Sequence, residues 1–196
     1  MKLVVISNPT ATENEHEVLN AMFENGLEYF HLRKPACNSE ELHCYLNEIP
    51  EKYHSRIIVH YHFGLLDKFN LKGIHFNAGN FQLRANFSGL HFSYSAHSLS
   101  ESLEVSSEVN YAFLSPVFDS ISKPGYTGAF EPKTIRDFLK TNQLNAKVIA
   151  LGGIQKDKIG ICREIGFAGV AILGLIWNNK PDVAIKNYFE ISNLVL

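Results

Sequence analysis

The chain has 196 residues and a formal net charge of -2, with 18 Lys and Arg against 20 Asp and Glu. Because no basic excess is present to hold nucleic acid non-specifically, we expect small anions as ligands and no nucleic-acid partner. Hydrophobic residues make up 45% of the chain, and this length suits a single domain spanning residues 1–196.

The chain lacks the patterns of secreted and membrane proteins. The first apolar run, Leu3–Ile6, is too short for a signal peptide, and Gly166–Trp177 falls short of the roughly 20 residues that a membrane span needs. Cys37, Cys44 and Cys162 show neither a disulfide framework nor metal-ligand spacing. We therefore expect a cytoplasmic protein with no membrane partner.

Short apolar runs alternate with amphipathic segments along the whole chain, a pattern typical of parallel strands covered by helices. The predicted strands are Leu3–Ile6, Tyr29–Leu32, Ile57–Val59, Lys72–Phe76, Leu90–Tyr94, Tyr111–Leu114, Lys147–Leu151 and Gly169–Leu173. The predicted helices are Glu13–Asn25, one capped by Ser39, a short one around Leu65–Phe69, one behind a Ser98–Glu101 capping box, Asp157–Ile165 and Pro181–Leu194.

About eight strand–helix units without a linker predict an α/β protein built as a single (β/α)8 TIM barrel. An open doubly wound sheet is the competing fold, but no Gly-x-Gly-x-x-Gly turn follows the first strand. The short chain implies short loops and at least one degenerate helix.

A loop after the sixth strand, Ser115–Lys123, carries groups that suit a phosphate. Ser120 and Ser122 offer hydroxyl donors and Lys123 offers a point positive charge. An ordinary polar surface loop is the alternative. Its position at the end of a barrel strand favours the phosphate interpretation, because active sites of these barrels form there.

Glycines follow the seventh and eighth strands, at Gly152, Gly153 and Gly174. Loops at these positions often bind phosphate through backbone N–H groups, which glycine allows to approach the oxygens closely. Tight-turn or packing glycines are the alternative. Together with the neighbouring Ser115–Lys123 loop, the glycines favour a phosphate site.

Histidines stand at the ends of neighbouring predicted strands, at His31, His60 and His62. These imidazoles could share one pocket as metal ligands, proton carriers or hydrogen-bonding groups of its wall. No carboxylate stands beside them in the sequence, which favours hydrogen bonding over metal binding, so we predict no metal ligands here. His75 is interpreted as a structural residue of the barrel interior.

The order and spacing of several motifs resemble those of thiamine-phosphate synthases and the related thiazole tautomerases. The motifs are His31–Lys34, Gly73–His75, Ser95–Leu99, Ser115–Lys123, Ala150–Ile154 and Gly169–Ala171. The resemblance implies a TIM barrel in thiamine biosynthesis. It also implies a transferase that joins hydroxymethylpyrimidine pyrophosphate to thiazole phosphate with release of pyrophosphate, using Mg2+.

The resemblance also implies roles for individual residues. By position, Arg33 binds pyrophosphate, Ser95 lies near the pyrimidine and leaving group, and Lys123 clamps the pyrophosphate. Ser120 and Ser122 stand where the family binds the thiazole phosphate. The residues that match the family's backbone phosphate cup are Gly152, Gly153 and Gly174.

Some family positions differ in this chain. Tyr61 and Asn80 replace two Asp residues that bind Mg2+ in the synthases, so Mg2+ binding is expected to be weakened. Pro116 stands where the tautomerases have their proton-carrying His.

Three hypotheses follow, and a homo-oligomer is compatible with each of them. One is a divergent synthase in which His60, His62 and Lys34 stabilise the leaving pyrophosphate. Another is a tautomerase-like enzyme with His31 or His60 as its base. The third is a non-catalytic thiazole-phosphate binder.

Overall fold

A computed structural model describes residues 1–118, 130–144 and 147–196. In these residues, eight parallel strands form one closed barrel in sequence order, and β1 pairs with both β2 and β8. The predicted (β/α)8 barrel is therefore confirmed. The strands are β1 (Lys2–Ile6), β2 (Tyr29–Leu32), β3 (Ile57–Val59), β4 (Gly73–Phe76), β5 (His91–Ala96), β6 (Tyr111–Leu114), β7 (Val148–Leu151) and β8 (Gly169–Ile172).

Helices of very different length connect the strands. The helices of the described residues are α1 (Glu15–Glu24), α2 (Ser39–Asn47), α3 (Leu99–Glu104), α4 (Pro132–Thr141), α5 (Ile159–Ile165), α6 (Gly174–Trp177) and α7 (Pro181–Val195). After β3 and β4 the connections contain only the 3₁₀ segments Phe63–Asp67 and Phe81–Asn86. The expectation of a degenerate helix is met there, and the short helix predicted around Leu65–Phe69 is present as a 3₁₀ helix that begins two residues earlier.

Helix N-termini also differ from the sequence predictions. Asn38, not Ser39, caps α2, and its side chain and that of Glu41 form a reciprocal capping box. Ser98 caps α3, but the Glu101 carboxylate accepts a hydrogen bond from the N–H of His97 instead of Ser98. Asn and Ser are nearly equal as caps, so the sequence alone does not separate such neighbours.

The interior of the barrel has two chemically different halves. An apolar half is formed mainly by β1 and β6–β8, with Val4, Ile6, Phe113, Ile149 and Ala171 among its buried residues. A polar half is formed by β2–β5 and the start of β6, and it contains His31, His60, His75, Ser93 and Tyr111. The polar half positions the candidate site described below.

No helix within the described ranges combines the length and the apolar character needed to cross a membrane.

Candidate active site

A cavity of about 240 Å³ lies among residues at and beyond the C-terminal ends of the strands. It is lined by Ile6, Arg33, His60, Tyr61, His75, Asn77, Ser95, His97, Phe113 and Leu151. The structure thus brings together Arg33, His60 and Ser95, which come from three separate strand ends. Lys123, the other residue expected to be catalytic, lies outside the described residues.

Arg33 is held in place through its backbone by Ser7, at the end of β1. The Ser7 hydroxyl donates to the Arg33 carbonyl at 3.1 Å and accepts from the Arg33 N–H at 2.8 Å. Ser7 is fully buried, so this pair of hydrogen bonds is sheltered from water. The contact fixes the start of the loop from which the guanidinium lines the cavity.

His31, His60 and His75 form a cluster on β2, after β3 and on β4. His31 Nδ1 lies 2.9 Å from His60 Nε2, and the rings of His60 and His75 stack with centroids 4.1 Å apart. His62, expected beside His31 and His60, is not part of this cluster. His75 occupies the third position because it points inward from the middle of β4.

Two serines and a tyrosine extend this cluster. His75 Nδ1 lies 2.9 Å from Ser93 Oγ, and its Nε2 lies 2.7 Å from Ser95 Oγ. His31 Nε2 lies 2.6 Å from the Tyr111 hydroxyl. The interpretation of His75 as a residue satisfied inside the barrel is confirmed by its two hydrogen bonds, but it also lines the cavity.

Burial keeps the clustered imidazoles neutral. Desolvation lowers the pKa of His31 and of His60 well below the ordinary value. Desolvation, reinforced by the Arg33 charge, lowers the pKa of His75 to about 3. At neutral pH each ring therefore has one N–H donor and one nitrogen acceptor.

Lys34, expected to bind substrate, has its ammonium bound to the protein instead. Lys34 Nζ lies 2.8 Å from Glu15 Oε2 and also donates to the carbonyls of Asn8 and Thr10. Its side chain is only 3% exposed. The three donors are therefore satisfied within the protein, and Lys34 does not line the cavity.

His62, also expected to bind substrate, lies outside the cavity lining. Its backbone adopts a left-handed conformation (φ 54) directly after β3, and the 3₁₀ segment Phe63–Asp67 begins there. Its exposed ring contacts the Cys37 carbonyl through Nε2 at 2.9 Å. A change of backbone direction after His60 therefore separates the two histidines.

The glycine turn after β7 packs against the start of the loop after β6. Gly152 has a φ of +95, and a Cβ added there would lie 3.0 Å from the Pro116 Cα. The N–H of Phe118 donates to the Gly152 carbonyl at 3.2 Å. Gly153 also has positive φ, at +64, and Gly174 is the first residue of α6.

Ser120 and Ser122 lie outside the described residues, so the structure places only the first part of the loop that carries them. That part, Ser115–Phe118, runs beside the end of β7. The expected phosphate-binding glycines and the beginning of the expected phosphate-binding loop are therefore neighbours.

The described residues do not fit Mg2+. Tyr61 lines the cavity where the synthases have an Asp, and the Asn80 Oδ1 accepts from the N–H of Asn77 at 2.8 Å. None of the described cavity-lining residues has a carboxylate. Mg2+ binds hard oxygen ligands, usually including carboxylates, and the adjacent Arg33 charge opposes a dication.

A family model described as "Thiamine monophosphate synthase" matches residues 3–176. The chain belongs to this family. A crystal structure of thiamine phosphate pyrophosphorylase from Bacteroides thetaiotaomicron is 34% identical and has a TM-score of 0.86, with 99% of this chain and 97% of that chain covered. The family resemblance stated from the sequence is thereby confirmed.

More distant relatives show how far the similarity extends. Thiamine phosphate pyrophosphorylase from Pyrococcus furiosus is 18% identical with a TM-score of 0.81, covering 99% of this chain and 95% of that chain, and it shows a common fold. A provisionally named thiamine-phosphate synthase 2 of Aquifex aeolicus (strain VF5) is 27% identical over 169 residues, 81% of this chain and 88% of that protein.

Proposed function

We propose that this member of the family is a thiamine-phosphate synthase. It joins hydroxymethylpyrimidine pyrophosphate to thiazole phosphate and releases pyrophosphate. The observation that carries this proposal is the convergence of Arg33, His60 and Ser95 on one cavity at the strand ends. The position of this cavity in the barrel is the usual position of a TIM-barrel active site.

The cavity walls match the charge separation that the reaction requires. When the bond from the pyrimidine methylene to oxygen breaks, the methylene becomes cationic and the pyrophosphate gains negative charge. Arg33 supplies a permanent positive charge to the anion. Phe113 and the neutral imidazoles of His60 and His75 offer an aromatic face and dipoles to the cation without opposing it by a positive charge.

The thiazole phosphate is assigned to the neighbouring loops. Backbone N–H groups at Gly153 and Gly174, with the hydroxyls of Ser120 and Ser122, would bind its phosphate. The ammonium of Lys123 would neutralise the departing pyrophosphate together with Arg33. The assignments to Ser120, Ser122 and Lys123 rest on the family resemblance.

Mg2+ has a smaller role in this proposal than in a typical synthase, because the described lining residues offer it no carboxylate. Cationic side chains and hydrogen-bond donors carry the stabilisation of the pyrophosphate instead. We therefore propose that turnover depends less on Mg2+ than it does in a synthase that has both Asp residues.

The test is to incubate the protein with both substrates, with and without Mg2+, and to measure thiamine phosphate and pyrophosphate. We expect stoichiometric formation of both. Arg33→Gln should lower the rate at least about tenfold, since a charge-assisted contact is lost. Arg136→Gln, which removes an exposed arginine on α4, is the matched control and should be unchanged.

Absence of product would overturn the proposal. If calorimetry then still showed saturable binding of thiazole phosphate, a proton-transfer enzyme or a non-catalytic binder would replace the synthase. Strict dependence on Mg2+, with no turnover in its absence, would contradict the proposed weak dependence.

A further inference from the structure

A series of hydrogen-bonding side chains crosses the polar half of the barrel in two segments, which meet at the register partners Tyr111 and Ser93. It begins and ends at residues that line the cavity, His60 and Ser95. Successive contacts are His60–His31 at 2.9 Å, His31–Tyr111 at 2.6 Å, Ser93–His75 at 2.9 Å and His75–Ser95 at 2.7 Å. We name this series the interior relay; its members are His60, His31, Tyr111, Ser93, His75 and Ser95.

The centre of the interior relay is fixed by strand register. Ser93 of β5 is the register partner of His75 in β4 and of Tyr111 in β6. Burial raises the pKa of Tyr111, and the neighbouring Ser93 hydroxyl opposes that rise. The barrel backbone therefore places the three side chains side by side, beneath the cavity.

Every member of the interior relay can donate one hydrogen bond and accept another. Neutral imidazoles, serine hydroxyls and a tyrosine hydroxyl all have this property. A proton accepted at one end can therefore be matched by a proton released at the other, with each hydrogen bond reversing its direction. No member has to remain charged in the buried interior, where a charge would be costly.

A metal site is the competing interpretation of the same histidines. Ligand nitrogens of His31, His60 and His75 lie within 4.8 Å of one another. Both nitrogens of His31 are already bound, to His60 and to Tyr111, and the His60 and His75 rings stack at an interplanar angle of 25°. An ion shared by all three would have to break these contacts, so the hydrogen-bonded arrangement is favoured.

We propose that the interior relay is the general acid for the departing pyrophosphate, a role that rests on the proposed synthase function. The carbon–oxygen bond breaks and its electron pair stays on the pyrophosphate oxygen. Ser95 Oγ gives its proton to that anion, His75 Nε2 gives a proton to Ser95, and the transfers continue to His60. A solvent proton then binds His60 Nδ1, so that one proton is consumed and one O–H bond forms.

The depth of the interior relay explains why a proton would take this route. A carbocation in the cavity reacts with water, so water beside the leaving group would destroy the intermediate. His31, Ser93 and Tyr111 have no exposed surface. A proton that enters from solvent at His60 would therefore reach Ser95 without a water molecule beside the leaving group. His60, His75 and Ser95 line the cavity and are the catalytic residues of this proposal, whereas His31, Tyr111 and Ser93 are positioning residues.

Tyr111→Phe tests the proposal because it removes one hydroxyl from the middle of the interior relay and leaves the cavity lining intact. We expect kcat to fall by about 10- to 100-fold, with little change in KM, because general acid catalysis is lost. In mixtures of H2O and D2O, the wild-type rate should show a curved dependence on deuterium content, which signals several protons in flight. That curvature should disappear in the variant.

Tyr29→Phe is the matched control, since the Tyr29 ring lies beside Tyr111 at a centroid distance of 6.0 Å but is not a relay member. Ser93→Ala is a second interruption and should reproduce the Tyr111→Phe result. If both interrupted variants fold and retain wild-type kcat and curvature, the interior relay has no role in the reaction.

Imidazole ¹⁵N NMR of the ligand-free protein separates this inference from the proposed function. Tyr111→Phe should change the tautomer signals of His60, two hydrogen bonds away, whether or not the protein makes thiamine phosphate. Unchanged His60 signals would overturn the interior relay even in an active synthase. Stoichiometric binding of Zn2+ that is lost in His31→Gln would instead establish the metal site and overturn the relay.

Discussion

Lys34 and Glu15 form a buried ion pair, with 2.8 Å between Nζ and Oε2 and side-chain exposures of 3% and 4%. The Tyr45 hydroxyl donates to the other carboxylate oxygen at 2.9 Å. The ion pair joins α1 to the segment after β2 and also holds the carbonyls of Asn8 and Thr10. It therefore fixes the segment after β1 close to Arg33.

The buried ion pair predicts a strong effect on stability. Lys34→Met leaves the Glu15 carboxylate buried without its cation, so the free energy of unfolding should fall by about 3–5 kcal/mol. Adding Glu15→Gln should restore part of the loss. Urea denaturation measures both. Lys133→Met, which breaks the exposed pair with Asp137, should change stability by under about 1 kcal/mol.

We predict that loss of the Ser7 hydroxyl weakens anion binding, because this hydroxyl positions Arg33. Ser7→Ala removes both hydrogen bonds to the Arg33 backbone and should cost about 1–3 kcal/mol of stability. Calorimetry should show weaker binding of inorganic pyrophosphate, since the guanidinium is less well positioned. Ser192→Ala, on α7, removes an exposed hydroxyl and serves as the control. Unchanged pyrophosphate affinity in a folded Ser7→Ala protein would contradict this role.

We predict that titration of His75 makes the stability of the protein depend on pH. Its pKa is about 3 in the folded protein, against an ordinary value near 6.5, so the unfolded chain binds more protons between these values. Stability should therefore fall as the pH decreases from about 6.5 toward about 3. In His75→Gln the slope should be smaller by up to about 1.4 kcal/mol per pH unit. Equal slopes in denaturation series of the two proteins would show that His75 does not titrate in this way.

We predict that a change at Gly152, in the turn after β7, weakens phosphate binding. Gly152→Ala combines positive φ with a Cβ 3.0 Å from Pro116, so the loop after β6 must shift. We expect a stability loss of about 1–3 kcal/mol and weaker thiazole-phosphate binding by calorimetry. Gly160→Ala lies in α5 with open space around the new Cβ and should stabilise the protein slightly. Normal thiazole-phosphate affinity in Gly152→Ala would separate this turn from the phosphate site.

The barrel could be predicted because its strands are buried apolar runs whose pattern survives in the sequence. The structure of the connections after β3 and β4 could not be predicted, since short 3₁₀ segments have little periodicity of their own. From the sequence we expected Lys34 to bind substrate, because nothing nearby in the sequence shows that Glu15 lies beside it in the fold.

The histidine cluster was predicted only in part. His62 follows His60 at a spacing that an extended strand would place on the same side, but the left-handed residue at His62 ends that pattern. Strand alternation could have found His75, because Ile74 and Phe76 flank it as apolar neighbours within β4. The Ser-Tyr-Ser alternation of residues 93–95 gives the same inward signal for Ser93 and Ser95.

The division of the barrel interior into polar and apolar halves constrains how this sequence can change over time. A single replacement among His31, Ser93 or Tyr111 leaves a buried neighbour without its hydrogen bond, at a cost of about 1–3 kcal/mol. Replacements should therefore occur in pairs. Close relatives that lose the imidazole of His31 are expected to lose the hydroxyl of Tyr111 as well, whereas residues of the apolar half should vary independently of them.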